Sequence, residues 1–191
     1  EGDGGVPTPF SLASLTPEVE LSTSVSPGTG LFVVDTGSPI HLLDVGHFDH
    51  DPEVATIVLD GFGFHFPSLK VAVENVFDDS LPAGGLLGAN LLLHFDWEMD
   101  YPTQRLTLYP NGTGFTDPND TTVSMELRGG GVFRHSVTGQ TMEVGATRHL
   151  FWTTVEGQAV YGMLDTGASY IVITESVLTR LGGRDNHPVI D

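Results

Sequence analysis

One tripeptide, Asp-Thr-Gly, occurs twice in this chain, and each copy ends a run of apolar residues. The first copy begins at Asp35 after residues 32–34 (Phe-Val-Val), and the second begins at Asp165 after residues 162–164 (Gly-Met-Leu). A carboxylate that directly follows a buried strand is costly unless hydrogen bonds or a chemical task hold it there. Thr and Gly suit the tight turn that comes next. The duplication therefore predicts two related halves with one carboxylate each.

The composition favours a β-rich globular protein and excludes several kinds of partner. Of the 191 residues, 39% are hydrophobic and 17% are charged, and there are 24 Gly and 12 Pro, as expected for a folded chain with many turns. The net charge of −18 disfavours nucleic acid and anionic membranes, and it suits either work at acidic pH or simple solubility. No apolar run is long enough for a membrane span. We expect a secreted or otherwise extracytoplasmic protein whose signal peptide has been removed.

The alternation of apolar and polar residues predicts an all-β chain, mainly β with short helices, arranged in two lobes. Residues 1–17 are rich in Gly, Pro and Ser and are expected to form a flexible leader. Residues 18–110 carry most of the predicted strands and form an N-terminal lobe. Residues 111–122 have the composition of a linker, and residues 123–191 begin a C-terminal lobe.

A polar loop after the first Asp-Thr-Gly contains the residue types that bind divalent metals. These are two histidines and three aspartates, His47, His50, Asp44, Asp49 and Asp51. Imidazoles and carboxylates are suitable ligands, but their spacing matches no metal motif. Cysteine is absent, which excludes thiol catalysis and zinc-thiolate sites. We therefore interpret the stretch as a solvated loop and expect neither a metal nor a cofactor.

A pair of carboxylates contributed by two halves has a direct chemical use. Two carboxylates within hydrogen-bonding distance cannot both ionise cheaply, so they share one proton. One can then act as general base on a water molecule while the other acts as general acid towards a carbonyl group. Such a pair titrates as a unit.

The motifs together resemble those of a known family. An apolar-apolar-Asp-Thr-Gly motif with Ser or Ala next, followed 53 residues after Asp35 by an apolar-apolar-Gly motif at residues 86–88, resembles the aspartic peptidases of the pepsin and retropepsin kind. The resemblance covers residues 18–109 and 149–182. It implies a bilobal fold with the active site between the lobes, a catalytic dyad of Asp35 and Asp165, and a polypeptide substrate.

The resemblance also implies roles for residues beside the dyad. Thr36 and Thr166 would lock the two loops together through their hydroxyl groups. Gly37 and Gly167 would present backbone amides to the carboxylates.

Further positions complete the implied site. Ser38 follows the pepsin-like pattern, in which the hydroxyl bonds the neighbouring Asp, whereas Ala168 follows the retroviral pattern, so the resemblance implies unequal environments for the two carboxylates. Leu87 and Gly88 would form the second glycine motif.

The chain departs from the family pattern in two respects. A flap over the substrate has only two weak candidates, the turns at residues 60–63 and 47–51, because residues 35–88 are few for a full flap. A second copy of the glycine motif would fall beyond residue 191. We expect a separate C-terminal fragment to complete the second lobe, with autoproteolytic cleavage near Asp191; missing disordered parts and a partner chain are the alternatives.

Two other functions compete with an aspartic endopeptidase. One is a catalytically silent, peptidase-like binding or inhibitory module, which would have no need to keep both Asp-Thr-Gly copies. The other is an all-β adhesion or carbohydrate-binding domain in which the repeats are only turns. Aromatic residues grouped on one face would favour it, and in the sequence they are scattered.

Overall fold

The computed structural model describes residues 5–13, 15–77, 83–114, 119 and 121–183. This part of the chain is mainly β, as predicted, and its strands form sheets of nine, three and two strands. No helix in it is long and apolar enough to cross a membrane. In chain order the elements are β1 (Thr8–Ala13), β2 (Thr16–Thr23), β3 (Thr29–Asp35), β4 (His41–Asp44), β5 (Val54–Gly61), β6 (Phe64–Glu74), β7 (Gly85–Gly88), α1 (Ala89–Leu92), β8 (Phe95–Asp100), β9 (Arg105–Pro110), β10 (Met125–Arg128), β11 (Gly131–Arg134), β12 (Thr141–Val144), β13 (Arg148–Val155), β14 (Gln158–Met163) and α2 (Glu175–Arg180).

The N-terminal half, up to residue 110, is organised around a ring of strands. β3 pairs with β7 and also with β2, so the order β3-β7-β4-β6-β5-β2 returns to β3 and closes like a barrel. Alternate residues of β2 and β3 point into this ring, where Val19, Leu21, Phe32 and Val34 are buried. Each such side chain contributes about 1.5–3 kcal/mol when removed from water. The alternation seen in the sequence therefore reports a real core face.

The structure differs from the expected flexible leader at residues 8–13, which form β1. In β1, Phe10 pairs with Val19 of β2, and Thr8 pairs with Leu106 of β9. The Phe10 side chain is buried in the core, and this burial offsets the weak strand composition of its neighbours. The N-terminal half therefore includes β1 and does not begin at residue 18.

A short strand carries the glycine motif into the centre of the ring. β7 runs parallel to β3, with Asp35 opposite Gly88, and antiparallel to β4. A Cβ atom on Gly88 would collide with the carbonyl oxygen of Ile40. Glycine is therefore needed here so that two backbones can approach closely.

The C-terminal half, from residue 121, repeats the opening arrangement of the N-terminal half. β10, β13 and β14 form an antiparallel sheet in which β13 is central, as β2 is between β1 and β3. β3 ends at Asp35, the aspartate of the first Asp-Thr-Gly copy. β14 ends at Met163, and one apolar residue, Leu164, separates it from Asp165 of the second copy. The three-stranded units match the duplication predicted from the two motifs.

One hairpin of the C-terminal half, β11–β12, packs against the N-terminal half. Met142 contacts the buried Ile40 and Ala72, and the ring of His135 donates from Nε2 to the carbonyl oxygen of Val73 over 2.8 Å. The sequence assigned residues 123–191 to one C-terminal lobe. Apolar side chains of the hairpin cover a patch of the N-terminal half, a choice of surfaces that the local pattern does not encode.

Two predicted features lie partly or wholly outside the described residues. The predicted linker, residues 111–122, lies partly outside the described residues. In its described part, the amides of Gly112 and Gly114 donate to Oδ2 of Asp96. The predicted cleavage near Asp191 lies outside the described residues altogether.

Candidate active site

The loops that carry Asp35 and Asp165 meet through a reciprocal set of four hydrogen bonds. We call this set the threonine lock. The Oγ1 atom of Thr166 accepts from the amide of Thr36 at 3.1 Å and donates to the carbonyl oxygen of Val34 at 2.6 Å. The Oγ1 atom of Thr36 accepts from the amide of Thr166 at 3.0 Å and donates to the carbonyl oxygen of Leu164 at 2.9 Å. Thr36 and Thr166 are both buried, and each hydroxyl group donates one hydrogen bond and accepts one. The lock fixes the two halves in register at the base of the site.

Each glycine of the two motifs faces the carboxylate of the other half. A Cβ atom on Gly37 would lie 2.5 Å from Cγ of Asp165, and one on Gly167 would collide with the carboxyl group of Asp35. Real Cβ atoms do not approach other atoms this closely, so no side chain fits at either position. The carboxyl groups of Asp35 and Asp165 are thereby brought together between two backbones.

Backbone amides hold each carboxyl group in place. Oδ1 of Asp35 accepts from the amides of Gly37 at 2.7 Å and Ser38 at 3.1 Å. Oδ1 of Asp165 accepts from the amide of Gly167 at 3.0 Å. Such bonds favour the ionised form of a carboxyl group. The two aspartates therefore have similar, though unequal, support.

The electrostatics favour keeping a proton on the pair. Burial raises the pKa of Asp35, and the charge of Asp165 and a hydrogen bond to its side chain raise it further, against the opposing effect of the amides of Gly37 and Ser38. The resulting pKa of Asp35 is about 6. A shared proton is the state expected when two carboxylates meet away from bulk water.

Ser38 does not play the part that the resemblance implied. Its hydroxyl group donates to the carbonyl oxygen of Ile40 at 2.9 Å and accepts from the amide of the same residue at 3.4 Å. The prediction of a hydroxyl bond to Asp35 is therefore wrong, because the hydroxyl closes its own turn and the backbone amide of Ser38 reaches the carboxylate instead. Ala168, its counterpart, is exposed and carries no hydroxyl.

The second glycine motif lies directly behind the first loop. Leu87 and Gly88 pair with Val34 and Asp35 in the parallel ladder of β3 and β7. The amide of the next residue, Ala89, donates to the carbonyl oxygen of Ser38 at 2.8 Å. The predicted motif is thus placed where it supports the Asp35 loop.

Sequence reasoning missed a contact from the supposed leader to the second loop. Oγ1 of Thr16, at the start of β2, lies 3.2 Å from Oγ of Ser169 and donates to the carbonyl oxygen of Gly167 at 3.5 Å. A threonine in a stretch rich in Gly, Pro and Ser gives no signal of this kind. Only the pairing of β2 with β3 places Thr16 beside the dyad.

Neither flap candidate, at residues 47–51 or 60–63, lies over the dyad. The first turn packs against Gly30, and the second packs against Leu21, which is the strand partner of Gly30. Gly30 precedes Asp35 by five positions along β3, which is about 16 Å at the usual strand rise. Both turns therefore lie towards the opposite end of β3, and each buries a central aromatic residue in the core (Phe48 and Phe62).

The histidine-rich loop does not assemble a metal site within the described residues, where no three potential ligands from His, Asp and Glu are grouped. The carboxyl group of Asp44 instead accepts from the amides of Gly46, Val76 and Phe77. Its role in the structure is to close the turn after β4.

Two exposed aromatic side chains lie together, whereas the sequence indicates that exposed aromatic residues are scattered. The rings of Trp152 and Tyr161, cross-strand partners on β13 and β14, lie 5.0 Å apart and are exposed. The hydroxyl of Tyr161 donates to Glu126 of β10, on the far side of β13, at 3.5 Å. The pair is carried by a different part of the C-terminal half from the threonine lock.

Comparison with known proteins gives limited information. No family model matches the chain, and no curated protein matches it. Solved structures similar to it include the crystal structure of a retropepsin-like aspartic protease from Rickettsia conorii, with 22% sequence identity and a TM-score of 0.36, over 49% of this chain and 81% of that one. This similarity is too weak to carry an argument about the present chain.

Proposed function

We propose that the protein is an aspartic endopeptidase that hydrolyses polypeptides at acidic pH. The observation that carries the proposal is the placement of Asp35 and Asp165, which the threonine lock and two facing glycines bring together. A structural turn needs no second carboxylate opposite the first. Acid-base catalysis on a water molecule needs both.

The mechanism follows from one proton shared by two carboxyl groups. A water molecule between Asp35 and Asp165 gives a proton to the ionised carboxylate and attacks the carbonyl carbon of the peptide. The protonated partner donates to the carbonyl oxygen, which yields a tetrahedral intermediate. Transfer of a proton to the amide nitrogen then releases the amine and leaves a new carboxylic acid. The dyad is regenerated with one proton.

The proposed acidic range has two supports. The pKa of Asp35, raised to about 6, keeps the shared proton on the pair below that pH. The net charge of −18 at neutral pH falls in magnitude as carboxylates are protonated, which lessens self-repulsion. An acidic, extracytoplasmic compartment is the setting that we propose.

The proposed enzyme is bilobal, and a further polypeptide segment completes its second lobe. In the N-terminal half, the apolar residues after the first motif enter β4, which pairs with β6 and β7. Their counterparts in the C-terminal half are in no described strand, and Tyr170, Ile171 and Val172 are 82%, 96% and 85% exposed. We propose that a C-terminal fragment, separated by autoprocessing, covers them.

Intact-mass analysis under native and denaturing conditions tests the associated fragment. The expected result is two polypeptides that separate only on denaturation. A single species of 20.4 kDa with full activity would reject the fragment while leaving the dyad in place.

The peptidase proposal is tested by digestion of a denatured protein substrate over a range of pH, with and without a statine-type inhibitor. Asp35→Asn and Asp165→Asn should each abolish cleavage, because neither variant has a second carboxyl group to share the proton. Asp100→Asn is the matched control, since Asp100 is a half-buried residue at the end of β8 whose carboxyl group accepts from the amide and the hydroxyl group of Thr103. Cleavage at the wild-type rate by either dyad variant would reject the proposal.

A peptidase-like binding module without turnover is the second candidate. The observation that favours it is that neither candidate flap lies over the carboxylates, so substrate would be poorly enclosed. Binding of a statine-type inhibitor by a protein that cleaves nothing at any pH is the result expected for this candidate.

A further inference from the structure

A buried histidine lies behind the Asp35 loop and has no assigned role. His41, the first residue of β4, is only 2% exposed. Its Nδ1 atom accepts a hydrogen bond from the amide of Gly88 at 3.0 Å. Because an amide only donates, Nδ1 must be unprotonated, so the ring is neutral and its proton is on Nε2.

The residue that His41 holds is the one opposite the candidate catalytic aspartate. Gly88 pairs with Asp35 between β7 and β3, and its backbone is in close contact with the carbonyl group of Ile40. The following amide donates to Ser38, whose own amide donates to Asp35. A short chain of backbone contacts therefore connects the imidazole to the carboxyl group.

The surroundings of His41 offer no charge that would stabilise an imidazolium. Val71 of β6 is its cross-strand partner, and the neighbouring pair on β7 involves Leu86. Asp44, on the same strand, accepts from three amides, and Asp35 is the β3 residue opposite Gly88. Burial alone lowers the pKa of His41 to about 3.

The second ring nitrogen of His41 indicates that the side chain does more than fill space in the core. Nε2 of His41 is buried and has no hydrogen-bond partner among the described residues. An unpaired buried N–H group costs free energy that an apolar side chain of similar size would not. The bond from Gly88 to Nδ1 is the one polar interaction of this side chain that the structure provides in return.

We propose that His41 is a positioning residue for the aspartic dyad: its neutral imidazole fixes the amide of Gly88 and through it the loop that carries Asp35. The proposal rests on the proposed peptidase function only for its effect on catalysis. Protonation of Nδ1 would place an N–H group against the N–H group of Gly88 and break the bond. The low pKa of His41 keeps the acceptor available through the acidic range in which the enzyme would work.

Nuclear magnetic resonance tests the geometry without requiring any activity. In uniformly ¹⁵N-labelled wild-type protein at about pH 5, we expect Nδ1 of His41 to show the chemical shift of an unprotonated nitrogen, because it accepts a bond. We also expect a scalar coupling across the hydrogen bond between this nitrogen and the amide nitrogen of Gly88. A protonated Nδ1, or no coupling, would overturn the proposal even if the protein is a peptidase.

Two substitutions then test the effect on catalysis. Asn places Oδ1 close to the position of Nδ1 and keeps an acceptor, so His41→Asn should retain kcat within about threefold. His41→Leu removes the acceptor and should lower kcat about tenfold or more with KM nearly unchanged, because small displacements of a catalytic group have large effects on rate. Equal losses in the two variants, or full kcat in folded His41→Leu, would overturn the proposal.

A matched control separates positioning from loss of stability. Leu43 is buried on the same strand, β4, and belongs to the core rather than to the glycine motif. Leu43→Ala should lower the melting temperature at least as much as His41→Leu while leaving kcat within about threefold at a temperature where the protein is folded. If wild-type protein cleaves nothing, the peptidase function fails, and the resonance measurement alone decides the role of His41.

Discussion

The threonine lock makes a quantitative prediction about how strongly the two halves are joined. Thr166→Val replaces a hydroxyl group with a methyl group of nearly the same size, so the packing is kept. The amide of Thr36 then loses its acceptor, and the carbonyl oxygen of Val34 loses a donor at 2.6 Å. The variant therefore isolates the polar part of the contact between the halves.

The magnitude follows from what is left unpaired. A buried amide without a partner costs about 1–3 kcal/mol, and loss of an ordinary hydrogen bond at a carbonyl oxygen costs about 1 kcal/mol. We expect Thr166→Val to lower the free energy of unfolding by about 2–4 kcal/mol. Thr166→Ser keeps the hydroxyl group and should recover most of this loss. Thr56→Val, at an exposed position of β5, is the control for the change of residue type.

Urea denaturation followed by tryptophan fluorescence is a suitable assay because the two tryptophans lie in different halves. Trp97 is in β8 and packs against the N-terminal core, and Trp152 is in β13. If the lock couples the halves, Thr166→Val should move the transition to lower urea and separate the signals of the two residues. A change below about 0.5 kcal/mol, the usual range for surface substitutions, would refute the reasoning.

Two further predictions concern the same site. Gly37→Ala should reduce cleavage at least about tenfold, because its Cβ atom would lie 2.5 Å from Cγ of Asp165 and displace that carboxyl group. Gly145→Ala is the control and should cleave normally, since a Cβ atom there meets nothing within 4 Å. Equal activities of the two variants would contradict the steric argument. The pKa of Asp35 in the folded protein is about 6, above the ordinary value of 3.8, so its protonated form favours folding; this contribution is full below about pH 4 and is lost as the pH rises through 6. Asp35→Asn should therefore be more stable than wild type at about pH 7.5 and similar to it at about pH 3.5, as measured by urea denaturation. A stability difference that is the same at both pH values would argue against a raised pKa.

The strands and the proximity of Asp35 and Asp165 could be predicted because their signals are local or repeated. Burial of alternate residues such as Val19 and Leu21 follows from the period of a strand, which the sequence shows directly. The two Asp-Thr-Gly copies are informative because a duplicated carboxylate after an apolar run is rarely needed by a turn. The apolar-apolar-Gly motif at residues 86–88 is recognisable in the sequence, whereas its place opposite Asp35 is seen only in the structure.

Other features depended on which surfaces meet. Phe10 lies in a stretch with the composition of a leader, and only its burial between β2 and β9 makes that stretch a strand. The hydroxyl group of Ser38 could bond to either Asp35 or Ile40 on the basis of sequence alone. In the folded turn it bonds to Ile40. When two acceptors lie within reach of one hydroxyl donor, the three-dimensional geometry of the turn determines which of them is bonded.

By itself, the sequence determined a mainly β chain and two Asp-Thr-Gly loops, each placed after an apolar run. The tertiary structure decided that these loops face each other, that Thr36 and Thr166 form the threonine lock, and that His41 accepts from Gly88 behind Asp35. The physical reason is the range of the interactions. Strand period and turn chemistry act between neighbours in the chain, whereas the contacts that assemble the site join residues up to 153 positions apart.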